Sequence, residues 1–75
     1  MKNRIRVLRA EREMTQEKLA ELIGVTRNTI ISLEKGKYYP SLKLAYRIVD
    51  VFGVGIDDVF TYEREIDGPE AGDDL

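Results

Sequence analysis

Arg27 and Asn28 stand side by side where a short apolar-periodic segment begins, with Thr26 before them, Thr29 after, and Ser32 one helical turn on. Such a set suits the recognition of flat, hydrogen-bonding edges rather than bond making. A guanidinium can donate two parallel hydrogen bonds, the pattern that guanine O6 and N7 accept. A carboxamide donates and accepts at once, as the N6/N7 edge of adenine requires. The plainer reading of both side chains is solvation at a helix start. Bond-making chemistry has little to work with, because the chain contains neither His nor Cys. Disulfides, Cys/His zinc centres, thiol nucleophiles and histidine base catalysis are thereby excluded. A glycine-rich phosphate loop and a serine elbow are also missing, and so small a domain has little volume for a substrate cleft. An enzyme is the weakest reading, and no metal or cofactor is expected.

The elements that must position these residues lie between Gln16 and Gly36, in the run QEKLAELIGVTRNTIISLEKG. Leu19, Ala20 and Ile23 fall on one face of a helix, and Ile30 and Leu33 on one face of the next. Gly24 follows the last apolar residue of the first helix, where a left-handed residue without a Cβ can end it. Thr26 stands where the second helix needs an N-cap. Helices joined so tightly must cross steeply, and the small Ala20 suits a close approach of backbones. This is the helix-turn-helix arrangement, whose second helix projects a polar edge that fits the major groove of DNA.

With Gln16, Leu19, Ala20, Ile23, Gly24, Val25, Ile30 and Leu33 in these places, the chain resembles the phage repressor and Cro (XRE) family. The likeness runs from about Met1 to Phe60, and the short chain with KGKYYPSL after the motif looks like the small stand-alone regulators of that family. The resemblance implies an all-α, lambda-repressor-like DNA-binding domain, a compact bundle of five short helices. It implies base contacts at Arg27, Asn28 and Ser32, and a phosphate-binding role for Gln16 at the start of the second helix. It further implies an ion pair between Arg9 and Glu34, the latter late in the recognition helix. From the residues alone, Arg9 is an unusual long cation near an inner face, next to Leu8, with a solvated arginine as the lesser alternative. A helix in the major groove reads bases near its N-terminal end, which adds Thr26 and Thr29 to the base-reading set. Lys35, Lys37, Tyr38 and Tyr39 follow the helix and could hold adjoining phosphates, with one of the two rings expected to pack instead. Ile31 either touches a thymine methyl or flanks the core, the second being favoured. Lys43 and Arg47 either extend the basic face or, as favoured, are simply solvated.

Around the motif, Lys2 to Glu13 reads as a first helix with Asn3 as a candidate cap, Ile5 and Leu8 inward, and Arg4, Arg6 and Arg12 outward. Thr15 caps the second helix without a capping box, since Lys18 occupies the place of Glu or Gln. Glu17 and Glu21 face solvent as like charges one turn apart, an outer face rather than a catalytic pair. Pro40 blocks continuation of the third helix, and Ser41 caps a fourth that runs to Phe52 with Leu44, Ala45, Ile48, Val49 and Phe52 as its stripe. A short fifth helix covers about Ile56 to Phe60, its Asp57 and Asp58 favouring the helix dipole rather than a metal.

From Phe60 the period becomes two. Phe60, Tyr62, Arg64 and Ile66 alternate with polar residues, as in a short strand. A lone strand in a helical domain leaves its edge open, and pairing with the same strand of a second copy would close it. A disordered tail is the equal competitor. The expected division is therefore a helix-turn-helix domain over 1–60, a dimerisation strand over 61–66 and an acidic disordered tail over 67–75.

The net charge of −2 conceals an asymmetry. Residues 1–60 carry eleven Lys/Arg against eight Asp/Glu, +3, whereas residues 61–75 carry one Arg against six acids, −5. The part expected to fold is mildly basic, as a phosphate-binding face needs. The leading expectation is a homodimeric, sequence-specific transcription regulator, a repressor, inserting the helix 26–35 in the major groove of double-stranded DNA. The competing class is a protein-interaction module or antitoxin whose acidic tail binds a protein partner. The N-terminal run is too charged for a signal peptide and no apolar run is long enough for a membrane, so a cytoplasmic protein is expected.

Overall fold

The computed structural model of the chain describes residues 2–61, and the account that follows concerns these. Five helices and a two-stranded sheet succeed one another as β1 (Lys2–Asn3), α1 (Ile5–Glu11), α2 (Gln16–Ile23), α3 (Arg27–Glu34), α4 (Leu42–Phe52), α5 (Ile56–Val59) and β2 (Phe60–Thr61). One apolar cluster gathers Ile5 and Leu8 of α1, Leu19, Ala20 and Ile23 of α2, Ile30 and Leu33 of α3, Leu44, Ile48 and Phe52 of α4, and Val59 of α5. These are the positions that the helical period selects. Each fully buried aliphatic side chain contributes about 1.5–3 kcal/mol through its removal from water. Ile31 is half-buried, at the margin of this cluster rather than in it.

Three helix starts are capped by the hydroxyls expected there. Thr15, Thr26 and Ser41 accept from the backbone N–H of Lys18, Thr29 and Leu44 respectively. The turn between α2 and α3 depends on Gly24, whose φ of 78° lies in the left-handed region. There the N–H groups of Gly24 and Val25 both reach the Ala20 carbonyl, at 2.9 and 3.0 Å.

The first helix is shorter than expected. It begins at Ile5 because Lys2 and Asn3 are taken by antiparallel pairing with Thr61 and Phe60. Asn3 still serves the helix start, accepting from the Ile5 N–H at 3.1 Å, while its amide donates to the Leu33 carbonyl at 2.7 Å. The helix ends early because Glu13 adopts φ 52°, with its N–H on the Ala10 carbonyl and that of Met14 on the Arg9 carbonyl. A glycine usually fills this place.

The strand that begins at Phe60 also has a partner that its sequence does not suggest. β2 lies against β1 of the same chain, and the adjoining Arg4 N–H donates to the Val59 carbonyl at 2.8 Å. One edge of Phe60–Thr61 is thus closed internally, so a second copy is not needed to satisfy it. Tyr62, Arg64, Ile66 and the acidic tail lie outside the described residues.

Arg12 is exposed, as expected, yet its head group is engaged. Its guanidinium stands 5.1 Å from the centroid of the Phe52 ring and donates to the carbonyls of Leu8 and Phe52 at 3.0 and 2.8 Å. Arg47 likewise donates to the Ile23 carbonyl at 3.3 Å. The C-terminal carbonyls of α1, α2 and α4, at the negative ends of their helix dipoles, therefore each receive an arginine.

At the centre of the motif, Arg9 Nε meets Glu34 Oε2 at 2.7 Å, and the two side chains are only 14% and 8% exposed. Arg9 also donates to the Met14 carbonyl at 2.7 Å, and Gln16 Nε2 donates to Glu34 Oε1 at 3.1 Å. This network joins α1, the α1–α2 turn, α2 and α3. Removing one charge strands the other in an apolar setting, so Arg9→Met or Glu34→Leu alone should cost about 3–5 kcal/mol. The double substitution should cost clearly less than the sum of the singles in urea unfolding, and additive losses would show that the charges do not act together. Gly24→Ala should cost about 1–2 kcal/mol in the same assay, from backbone strain alone. A Cβ there would meet Arg47 Nη1 at an ordinary 3.5 Å.

Candidate nucleic-acid interface

The N-terminal end of α3 is built from the cap outward. Thr26 accepts from the Thr29 N–H at 3.2 Å, and the two hydroxyls stand 3.1 Å apart. Both threonine hydroxyls thereby take part in the helix start, with Thr26 exposed and Thr29 half-buried. Between them Arg27 and Asn28 are exposed. The Asn28 amide makes no hydrogen bond among the described residues, so its donor and acceptor are both available for an incoming edge. Ser32 is half-buried one turn on.

At the other end of the helix the chain leaves through Lys35, whose N–H bonds the Ile31 carbonyl at 3.1 Å, and Gly36, whose N–H bonds the Leu33 carbonyl at 2.9 Å. The Lys37 N–H then bonds back to the Ser32 carbonyl at 3.0 Å. This closed turn fixes the point from which the Lys35 and Lys37 side chains extend, both exposed. Tyr38 and Tyr39 are also exposed, at 43% and 65%, so neither ring packs into the core as expected of one of them.

Gln16 lies at the first position of α2, half-buried, with its amide held by Glu34. One of its amide hydrogens is used there. The second hydrogen and the backbone N–H at the helix start remain suited to an anion.

One participant is missing from the sequence-based list. Glu17 Oε2 stands 3.4 Å from Arg27 Nε, an ion pair from the first turn of α2 to the first turn of α3. Glu21 in turn has Lys18 Nζ at 3.8 Å. The two glutamates expected to repel each other on an outer face thus each face a cation. The contact between Glu17 and Arg27 crosses the turn, and no helical or strand period links the two positions.

Among the described residues, no group of three acidic, His or Cys side chains could hold a metal ion. Nor is any helix long and apolar enough to cross a membrane.

Comparisons with known proteins agree with this geometry. The helix-turn-helix family matches residues 5–59. An uncharacterised HTH-type transcriptional regulator of Methanocaldococcus jannaschii is 57% identical over 65 residues, covering 87% of this chain and 98% of its own. The Vibrio cholerae cryptic phage CTXphi transcriptional repressor RstR is 39% identical over 57 residues, covering 76% of this chain and 51% of the repressor. Among solved structures, the clp gene regulator ClgR of Corynebacterium glutamicum superposes with a TM-score of 0.67 at 28% identity, over 72% of this chain and 57% of that one. These relatives are regulators rather than enzymes. With the family match spanning nearly all of the described residues, and with relatives that are HTH-type transcriptional regulators, the chain belongs to the XRE-type helix-turn-helix family of transcriptional regulators.

Proposed function

We propose that the protein acts as a homodimeric repressor that lays α3 in the major groove of each half of a two-fold-symmetric operator. The observation that carries this reading is the exposed pair Arg27 and Asn28, held outward by the Thr26–Thr29 cap and flanked by exposed cations. In this reading Thr26, Arg27, Asn28, Thr29 and Ser32 face the bases. Gln16, Lys35, Lys37, Tyr38 and Tyr39 hold phosphates on either side and fix the register. The repressor role draws support from the likeness to the Vibrio cholerae phage repressor. A repressor needs only to cover its site, which a domain of this size can do.

Dimerisation draws on β2. Its pairing with β1 uses one edge, and a two-stranded sheet leaves the other able to take the same strand of a second copy. Phe60, Tyr62, Arg64 and Ile66 are the dimer residues in this reading.

Selection from a random duplex pool tests base reading and symmetry together. The expected product is a palindromic motif with half-sites about 10 bp apart between centres. An asymmetric single half-site would remove the dimer, and no enrichment at low salt would remove the base reading. Against the selected site, Arg27→Ala should lose about 1–3 kcal/mol and relax preference at one position. Lys37→Ala should weaken binding to all sequences alike and reduce the salt slope by about one. Identical behaviour of the two variants in titrations at several salt concentrations would contradict the division between reading and anchoring residues.

A further inference from the structure

We infer that Glu17 is a specificity-determining positioning residue, which orients the Arg27 guanidinium for guanine without itself touching a base. The inference rests on the DNA-reading function proposed for α3 and deepens it.

The carboxylate approaches Arg27 at Nε, 3.4 Å from Oε2. No other ion pair or side-chain hydrogen bond engages Arg27 among the described residues. The guanidinium is planar, so a partner on the Nε side leaves the edge that carries both Nη atoms open. That edge makes the bidentate contact with guanine O6 and N7. The placement of the two groups has an electrostatic reason. Arg27 sits at the first position of α3, where the positive end of the helix dipole disfavours a cation. Glu17 sits in the first turn of α2, where the same effect favours an anion. The carboxylate is therefore held at its own helix start and offsets the unfavourable location of the arginine.

On the free protein both side chains are more than half exposed, 56% for Arg27 and 69% for Glu17, so water screens the pair. Docking of α3 in a groove would remove that water and restrict the arginine to few rotamers. The pair then matters most in the bound state, and its contribution appears as discrimination between bases. A carboxylate beside the phosphate backbone lowers affinity for DNA of every sequence. Its presence at a DNA-facing helix start is explained if it improves selectivity at the expense of general binding.

The test uses the full chain and the duplex it selects. The position read by Arg27 is the one at which Arg27→Ala loses preference. Duplexes carrying each of the four base pairs there are titrated with the wild type, Glu17→Gln, Arg27→Ala and the double variant. Glu17→Gln is expected to lower discrimination at that position about twofold to fivefold, to leave the other positions unchanged, and to strengthen binding to unrelated DNA. In the Arg27→Ala background the same substitution should change no base preference. Thermal melts of each variant separate these effects from a loss of folded protein. Full discrimination retained by Glu17→Gln, with or without a uniform gain in affinity, would overturn the inference and leave Glu17 a repulsive surface charge. Failure of the wild type to select any motif is a different result, which would remove base reading itself and this role with it.

Discussion

The contact between Arg9 and Glu34 holds α3 in place. Helices as short as α2 and α3 have little stability of their own, so their mutual orientation must come from tertiary contacts. The apolar cluster supplies most of the energy but little direction, because aliphatic surfaces can slide by a fraction of a turn. A guanidinium shared between the Glu34 carboxylate and the Met14 carbonyl cannot slide in this way. It sets the distance from α1 to α3, and Gln16 on the same carboxylate sets the start of α2. The two helix starts that bear the candidate phosphate and base contacts are consequently referred to one largely covered carboxylate.

Around this anchor, much of the remaining polar chemistry closes helix ends. Threonine and serine hydroxyls serve the starts of α2, α3 and α4. Arginines serve the carbonyls at the ends of α1, α2 and α4, and Asn3 serves that of Leu33 in α3. In a domain with so little buried surface, backbone groups left unsatisfied at helix ends would be a large fraction of the total cost. The starts are capped within their own helices, whereas Arg12, Arg47 and Asn3 reach the ends of α4, α2 and α3 from other elements, so capping there becomes tertiary structure.

The motif was legible because its signals are local. Leu19, Ile23, Ile30 and Leu33 repeat at helical spacing, Gly24 marks the turn, and Thr26 marks the cap. The partnership of Arg9 and Glu34 was legible only through family resemblance, since no periodicity relates residues so far apart. Three features were not legible. Glu13 takes a left-handed conformation that glycine would have announced. Arg12 looks like an unengaged outward cation until Phe52, far along the chain, offers it a ring and a carbonyl. Strand β1 consists of two residues, too few for any alternation, and exists only because β2 lies beside it. At the site, residue types identified Arg27 and Asn28, but Glu17 read as solvent face because its partner stands across the turn.

The seam between β1 and β2 bears on how the domain comes apart. Pairing of the first described residues with the last closes nearly the whole described chain into a loop. The ordering entropy of that closure is recovered only when everything between is already in place. A contact of such long sequence separation adds to the entropic cost of folding. Through Asn3 the seam also reaches the last turn of α3, since the same side chain holds the α1 start and the Leu33 carbonyl. Opening of this seam would therefore loosen the far end of α3 before the apolar cluster is breached. Whatever stiffens the pairing of β2 with β1 would stiffen the last turn of α3 with it, through the single side chain of Asn3.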